Sequence, residues 1–270
     1  MNLFEKIVYA LSGRMAEPAV YGWYHIMWLV IMLVATVLIA YFFKDANDKT
    51  IKKIMFIAWI TIFLFEIYKE TVIAFELVDG VPTWDYDWKQ FPFQFCSTPL
   101  YILPLAIFLK DGKVRDACIS YLATFGLFAG AIVMILPTTV LGERIGNNIQ
   151  TMYHHSTMVV IGVLLLVVNR KKLDFKFLYT AMIVFCVCLL IALALNIIMH
   201  FALPETEESF NMFYVGPYES CDLPILSAIQ PHVHPIVFIL IYAIGFCIVS
   251  TIVFYIAKLV LYIKAKAQNK

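Results

Sequence analysis

The chain has 270 residues, of which 62% are hydrophobic, 16% aromatic and only 14% charged, with a formal net charge of +1. Too few polar residues are present to cover a water-soluble surface, and the aromatic content excludes a disordered chain. What remains is an integral membrane protein with most of its length in lipid.

A helix that crosses the hydrocarbon core needs about 20 mostly apolar residues. Seven stretches approach this: Tyr21 to Phe43, Ile54 to Phe75, Phe91 to Leu109, Cys118 to Pro137, His154 to Val168, Phe177 to Leu203, and His234 to Ile263. The second carries Glu66, Lys69 and Glu70. The third holds Pro92, Pro99 and Pro104, which neighbouring helices can accommodate by satisfying the freed carbonyls. The fifth is short unless Gln150 to Tyr153 belong to it. The expected fold is therefore all-α, a bundle of seven transmembrane helices over residues 20–264. Before it, residues 1–19 place Phe4, Ile7, Val8 and Leu11 at helical spacing, which predicts an amphipathic segment on the outer membrane surface. Residues 265–270 form a short tail.

Lys and Arg set the expected orientation. Fifteen of the 20 fall in the turns after spans one, three and five or at the C-terminal end, while 12 of 19 acidic residues fall in the opposite loops. This alternation predicts a multi-pass protein of the cell membrane with its N-terminus outside and its C-terminus in the cytoplasm. The basic residues act as membrane anchors, so nucleic acid is not an expected partner.

On that topology all six histidines fall in the outer half: His25, His154, His155, His200, His232 and His234. Cys96, Glu66, Glu70 and Asn196 reach the same level. Each has an ordinary structural reading, such as a helix-end cap, an i,i+3 charge pair between Glu66 and Lys69, or a packed thiol. Together they predict a polar cavity opening outward, because intramembrane ionisable groups normally face a bundle interior or a wet cavity. A Cys, a His and a carboxylate are the parts of an activated nucleophile. His154, His155, His232 and His234 with a carboxylate offer a competing metal site. A disulfide from Cys96 to Cys221, in the loop at 204–231, is a further alternative that would remove the nucleophile.

Glu66-Ile-Tyr-Lys69, Trp88 through Pro92-Phe-Gln-Phe-Cys96, Tyr153-His-His155 and Asn211-Met-Phe-Tyr214, in that order, resemble the YwaF-like bacterial membrane proteins, which are grouped with transmembrane protein 164 of animals. The resemblance covers spans two to seven. It implies a lipid acyltransferase or lipid hydrolase whose catalytic pair corresponds to Cys96 and His155, acting on a membrane phospholipid without a cofactor. The animal proteins have His after the Cys, where this chain has Ser97. In the expected site Cys96 and His155 are catalytic. Glu66, Lys69, Glu70, His154, Asn196 and His200 support them, with Asn196 a candidate oxyanion donor. His25, Asn211, His232 and His234 lie in the vicinity. Two other readings are a non-catalytic ligand-binding sensor or transporter, and a metal-dependent membrane lipid hydrolase.

Overall fold

A computed structural model describes residues 1–138, 140–203 and 210–268. The expected loop at 204–231 and the expected tail at 265–270 therefore lie partly outside the described residues. The chain is predominantly helical, and five helical rods are long and apolar enough to cross a membrane. They are α2 (Trp23–Phe43), the rod Lys113–Ile135, α7 (Ile145–Val168), α8 (Phe175–Ala202) and α10 (Pro235–Gln268).

Between α2 and the second rod lies α3 (Asp48–Ile73), 26 residues long but carrying more charge. The third expected span is helical only over α4 (Pro99–Phe108), with a single 3₁₀ turn at Phe95–Ser97 before it. Ten helical residues rise about 15 Å, half of a hydrocarbon core. The rod Lys113–Ile135 is α5 (Lys113–Tyr121), a π turn at Leu122–Gly126, and α6 (Leu127–Ile135). The fifth expected span is longer than its apolar run, because α7 begins at Ile145. His154 and His155 therefore lie more than two turns inside that helix instead of opening it.

The amphipathic segment forms α1 (Leu3–Leu11), with a capping box between Asn2 and Glu5. Its Val8 packs on Val72 and Phe75 at the end of α3. A two-stranded hairpin, β1 (Phe75–Val78) and β2 (Val81–Trp84), follows α3. Asp79 and Gly80 turn it with φ of 51° and 77°, as a two-residue hairpin of this hand requires. The short α9 (Leu226–Ile229) leads through a 3₁₀ turn into α10.

Two faces are distinguishable. On one, buried Arg115 pairs with Asp48 at 2.5 Å and Asp111 at 2.6 Å, and Arg170 pairs with Asp45 at 2.5 Å. The basic turns around residues 44–53, 110–116 and 170–176 are thereby tied together. Phe177, early in α8, stacks on Phe254, late in α10, so the C-terminal end lies toward the same face. On the other face, Tyr68 Oη donates to the Leu11 carbonyl, and Arg14 pairs with Glu143. The N-terminal helix and the C-terminal end thus sit on opposite faces.

Helices α6 and α7 touch through glycine. A Cβ on Gly130 would lie 2.7 Å from the His155 carbonyl oxygen, and one on Gly162 would lie 2.6 Å from Leu127 Cβ. At Gly126, in the π turn, the nearest atom would be 3.7 Å away. Gly130→Ala is expected to separate the helices and cost about 1–3 kcal/mol, as overpacking does. Gly126→Ala should be close to neutral. Thermal unfolding of the detergent-purified variants checks the contrast, and equal midpoints would contradict this packing.

Candidate functional site

The site grows from the broken third span. Pro104 has no N–H, so the Leu100 carbonyl four residues earlier lacks a helical donor. Trp59 of α3 supplies one, its indole nitrogen donating at 3.0 Å. Pro99 occupies the first turn of α4, where a missing N–H costs nothing. Upstream the chain makes only the turn at Phe95–Ser97, which leaves the Cys96 carbonyl outside the helix. His154 of α7 fills that need, with Nε2 donating to the Cys96 oxygen at 2.9 Å. Thr98 Oγ1 holds the same turn from the other side, through the Phe95 carbonyl and Tyr121 Oη.

Phe95 anchors this turn in an aromatic box. Its ring centroid lies 5.0 Å from Phe246, 5.7 Å from Phe185 and 5.7 Å from Phe213. The box draws on α8, α10 and the segment around 213, so Cys96 is fixed by contacts that converge from several elements.

Charge gathers beside it. Lys69 Nζ lies 2.6 Å from Glu66 Oε1 and 3.0 Å from Glu70 Oε1, with all three side chains largely buried. The other Glu66 oxygen accepts from Gln150 Nε2 at 2.8 Å, which joins α3 to α7. Glu66 thus faces inward and is paired, with Lys69 as the partner. Tyr86, in the loop after the hairpin, lies close to Glu70; burial first, and that carboxylate second, push the Tyr86 phenol above its ordinary range. The sequence reading missed Gln150 and Tyr86. Gln150 was visible only as a question about where the fifth span begins, and Tyr86 carried no signal.

The two imidazoles have defined roles. His155 Nδ1 meets the Thr151 carbonyl at 2.7 Å, so this nitrogen is assigned the proton. Its Nε2 is then a buried lone pair without a partner. His154 is the mirror case, with Nε2 engaged by the Cys96 carbonyl and Nδ1 buried and unpartnered. Both rings are at most 5% exposed. A buried polar atom left unsatisfied costs about 1–3 kcal/mol, so two side by side call for an explanation.

Other predicted site residues serve the surrounding architecture. The Asn196 amide is engaged on both sides by Met212, accepting from its N–H at 2.6 Å and donating to its carbonyl at 2.9 Å. The amide oxygen and one of its two N–H donors are thereby committed to Met212. Gln94 likewise clasps the Asn211 carbonyl and the Phe213 N–H, and Asn211 ties Gly216 and Ser220. These bonds hold Phe213 and Tyr214 at φ 57°, a left-handed conformation that bulky residues avoid. Burial pushes the Tyr214 phenol up, and neighbouring Cys96, Asp222 and Cys221 push the same way, so this ring reaches the thiol's surroundings.

The remaining histidines are elsewhere. His25 has both nitrogens occupied, accepting from the Tyr21 N–H and donating to the Met134 carbonyl, which clasps α2 to α6. His200 stacks on Tyr218 at 3.9 Å. His232 and His234 are exposed before α10. Among the described residues no three His, Cys, Asp or Glu side chains are grouped to hold a metal. Cys96 and Cys221 are both free thiols, so the alternative disulfide is not formed.

Lys69→Met removes the cation from between two buried carboxylates. The expected loss is about 3–5 kcal/mol, the cost of stranding a buried charge. Adding Glu66→Gln should recover part of it. Thermal midpoints in detergent test the pair, and a single variant as stable as the parent would mean that the triad is hydrated.

The model of the TMEM164 family matches residues 20–262, nearly the whole chain. Comparison with curated proteins and with solved structures yields no match. With the ordered motifs at Glu66, Cys96, His155 and Asn211 lying in one matched span, the chain belongs to the TMEM164 family.

Proposed function

We propose that this protein is a membrane-embedded acyltransferase or hydrolase acting on a phospholipid, with Cys96 as nucleophile and His155 as base. One observation carries the reading. His154 donates to the Cys96 carbonyl at the helix break, and the buried imidazole of the adjacent His155 keeps one nitrogen without a partner. His155 holds the tautomer a general base needs, with Nδ1–H tied to Thr151 and the Nε2 lone pair available.

The chemistry follows in balanced steps. His155 Nε2 takes the Cys96 proton as sulfur attacks the ester carbonyl carbon. The tetrahedral oxyanion collapses, the bond to the glycerol oxygen breaks, and the imidazolium returns its proton to that oxygen. The acyl group remains as a thioester. A lysolipid hydroxyl then accepts it in transfer, or water accepts it in hydrolysis. α4 begins three residues after Cys96, so the positive end of its dipole favours the negative charge that develops. His154 keeps the Cys96 main chain in place. The Glu66–Lys69–Glu70 triad supplies the local charge balance.

Reconstituted protein supplied with a palmitoyl-labelled phospholipid is expected to form a hydroxylamine-sensitive adduct on Cys96. Cys96→Ala should lose both adduct and turnover, and His155→Gln should lower turnover about 10²- to 10⁴-fold. Lipid binding that survives in Cys96→Ala alongside undiminished function would favour a ligand-binding sensor or transporter.

We further propose seven crossings of the cell membrane, α3 and the broken segment Phe91–Phe108 joining the five long rods, with the N-terminus outside. The alternation of basic turns and the opposite placement of the two chain ends support this. In a background without other reactive cysteines, Tyr218→Cys should label from outside intact cells and Lys172→Cys only after permeabilisation. The reverse pattern would invert the topology and move the site to the cytoplasmic leaflet.

A further inference from the structure

Nδ1 of His154 has no part in the steps above. The ring donates from Nε2 to the Cys96 carbonyl, so the proton is on that nitrogen and Nδ1 carries a bare lone pair. The atom is buried and has no partner, in a side chain 3% exposed. Only a donor can satisfy it. An ester carbonyl or a phosphate oxygen is an acceptor and cannot, whereas a hydroxyl group can.

A direct bond sets where this lone pair stands. Nε2 lies 2.9 Å from the Cys96 oxygen, and a single ring carbon separates Nε2 from Nδ1. The lone pair is therefore held beside the residue that would carry the acyl group. Its own helix face also carries counter-charge. Gln150 stands four residues, one turn, before His154 and donates to Glu66 Oε2 at 2.8 Å. Behind that bond, Glu66 and Glu70 share the one ammonium of Lys69, an excess of negative charge. A positive charge formed on His154 is compensated from one turn away.

His155 is a separate acceptor. It leaves α7 about 100° round the helix from His154, and its Nδ1 is tied to the Thr151 carbonyl. The two rings stand 5.4 Å apart and are inclined by 61°. Two neighbouring lone pairs on separate rings can receive two different protons, and a reaction with a donor and an acceptor alcohol has two to move.

We propose that His154 Nδ1 is the base of the second half-reaction, accepting the proton of the acceptor hydroxyl, from a lysolipid or from water. The proposal rests on the acyl-transfer reading, which supplies the Cys96 thioester. The acceptor oxygen bonds to the thioester carbon while its proton passes to Nδ1. The tetrahedral oxyanion collapses, the carbon–sulfur bond breaks, and the sulfur leaves as a thiolate. The thiolate takes the proton from Nδ1, which restores the thiol and the neutral imidazole. In between, His154 is an imidazolium, and its Nε2–H bond to the Cys96 carbonyl becomes charge-assisted and stronger. His155 thus serves the thiol and His154 the hydroxyl.

The test separates the two half-reactions in full-length protein reconstituted with palmitoyl-labelled phosphatidylcholine. His154→Gln keeps an N–H for the Cys96 carbonyl and removes the basic nitrogen. It is expected to form the Cys96 adduct near the parental rate. Discharge of that adduct, to added lysophosphatidylcholine or to water, should be slowed about 10²- to 10⁴-fold, so the thioester accumulates. Hydroxylamine, a strong nucleophile that needs no base, should discharge parent and variant equally, which a merely distorted site would not allow. His155→Gln gives the opposite pattern, with little adduct formed. His154→Asn provides the same readout if His154→Gln does not fold. Parental discharge in the His154 variants would overturn the proposal. So would failure of a folded His154 variant to form the adduct, which would assign His154 to the first half-reaction. A parent protein that forms no adduct at Cys96 would instead remove the transfer reading, and this proposal with it.

Discussion

A main-chain carbonyl in lipid must find a donor, and the broken segment before α4 makes that requirement acute. Three prolines between Phe91 and Phe108 prevent an unbroken helix. The freed carbonyls at Cys96 and Leu100 are answered by His154 and Trp59. Those two bonds pull α7 and α3 against the break, and α3 and α7 are joined again by Gln150 to Glu66. A defect that would be unaffordable alone thus organises three elements around one turn. The polar residues gathered there follow from that geometry, because the same helices that supply the donors carry the charge triad and the second imidazole.

Much of this was legible in the sequence for physical reasons. Composition alone decides between lipid and water, and the alternation of Lys and Arg orders the faces. The pairing of Glu66 with Lys69 follows from i,i+3 spacing inside an apolar stretch, where an unpaired charge is costly. What could not be read depends on tertiary partners. Asn196 looked like an isolated polar residue at site depth, but its amide mates with Met212 across sixteen residues of sequence, including a segment outside the described residues. His25 looked like a member of the outer cluster, yet it clasps α6 through a carbonyl at the helix end. The hairpin was the reverse case, since Asp79-Gly80 between apolar residues is a recognised local signal that a span-by-span reading passes over.

The depth of the site also escaped the hydropathy reading. An apolar window starts α7 near His154, because Asn147, Asn148 and Gln150 depress it. Two of these amides have structural work inside the helix: Asn148 caps Gly142 through both its oxygen and its nitrogen, and Gln150 serves Glu66. With α7 beginning at Ile145, His154 lies about 13 Å along the helix. At that depth water competes weakly for hydrogen bonds, so the two free imidazole nitrogens are more consequential than they would be at an interface.

The strained outer segment bears on the same point. Phe213 and Tyr214 adopt left-handed backbone angles only because Gln94, Asn196 and Asn211 fix the chain on either side. Gln94 stands two residues from Cys96, so the clamp on the outer segment and the turn bearing the thiol share one short stretch of chain. Phe213 closes the aromatic box around Phe95, and Tyr214 lies near the thiol. A conformation of this cost persists when the surrounding contacts over-determine it. Here they do so from the outer segment, as His154 and Trp59 do from α7 and α3, and the turn at Cys96 is left with little freedom.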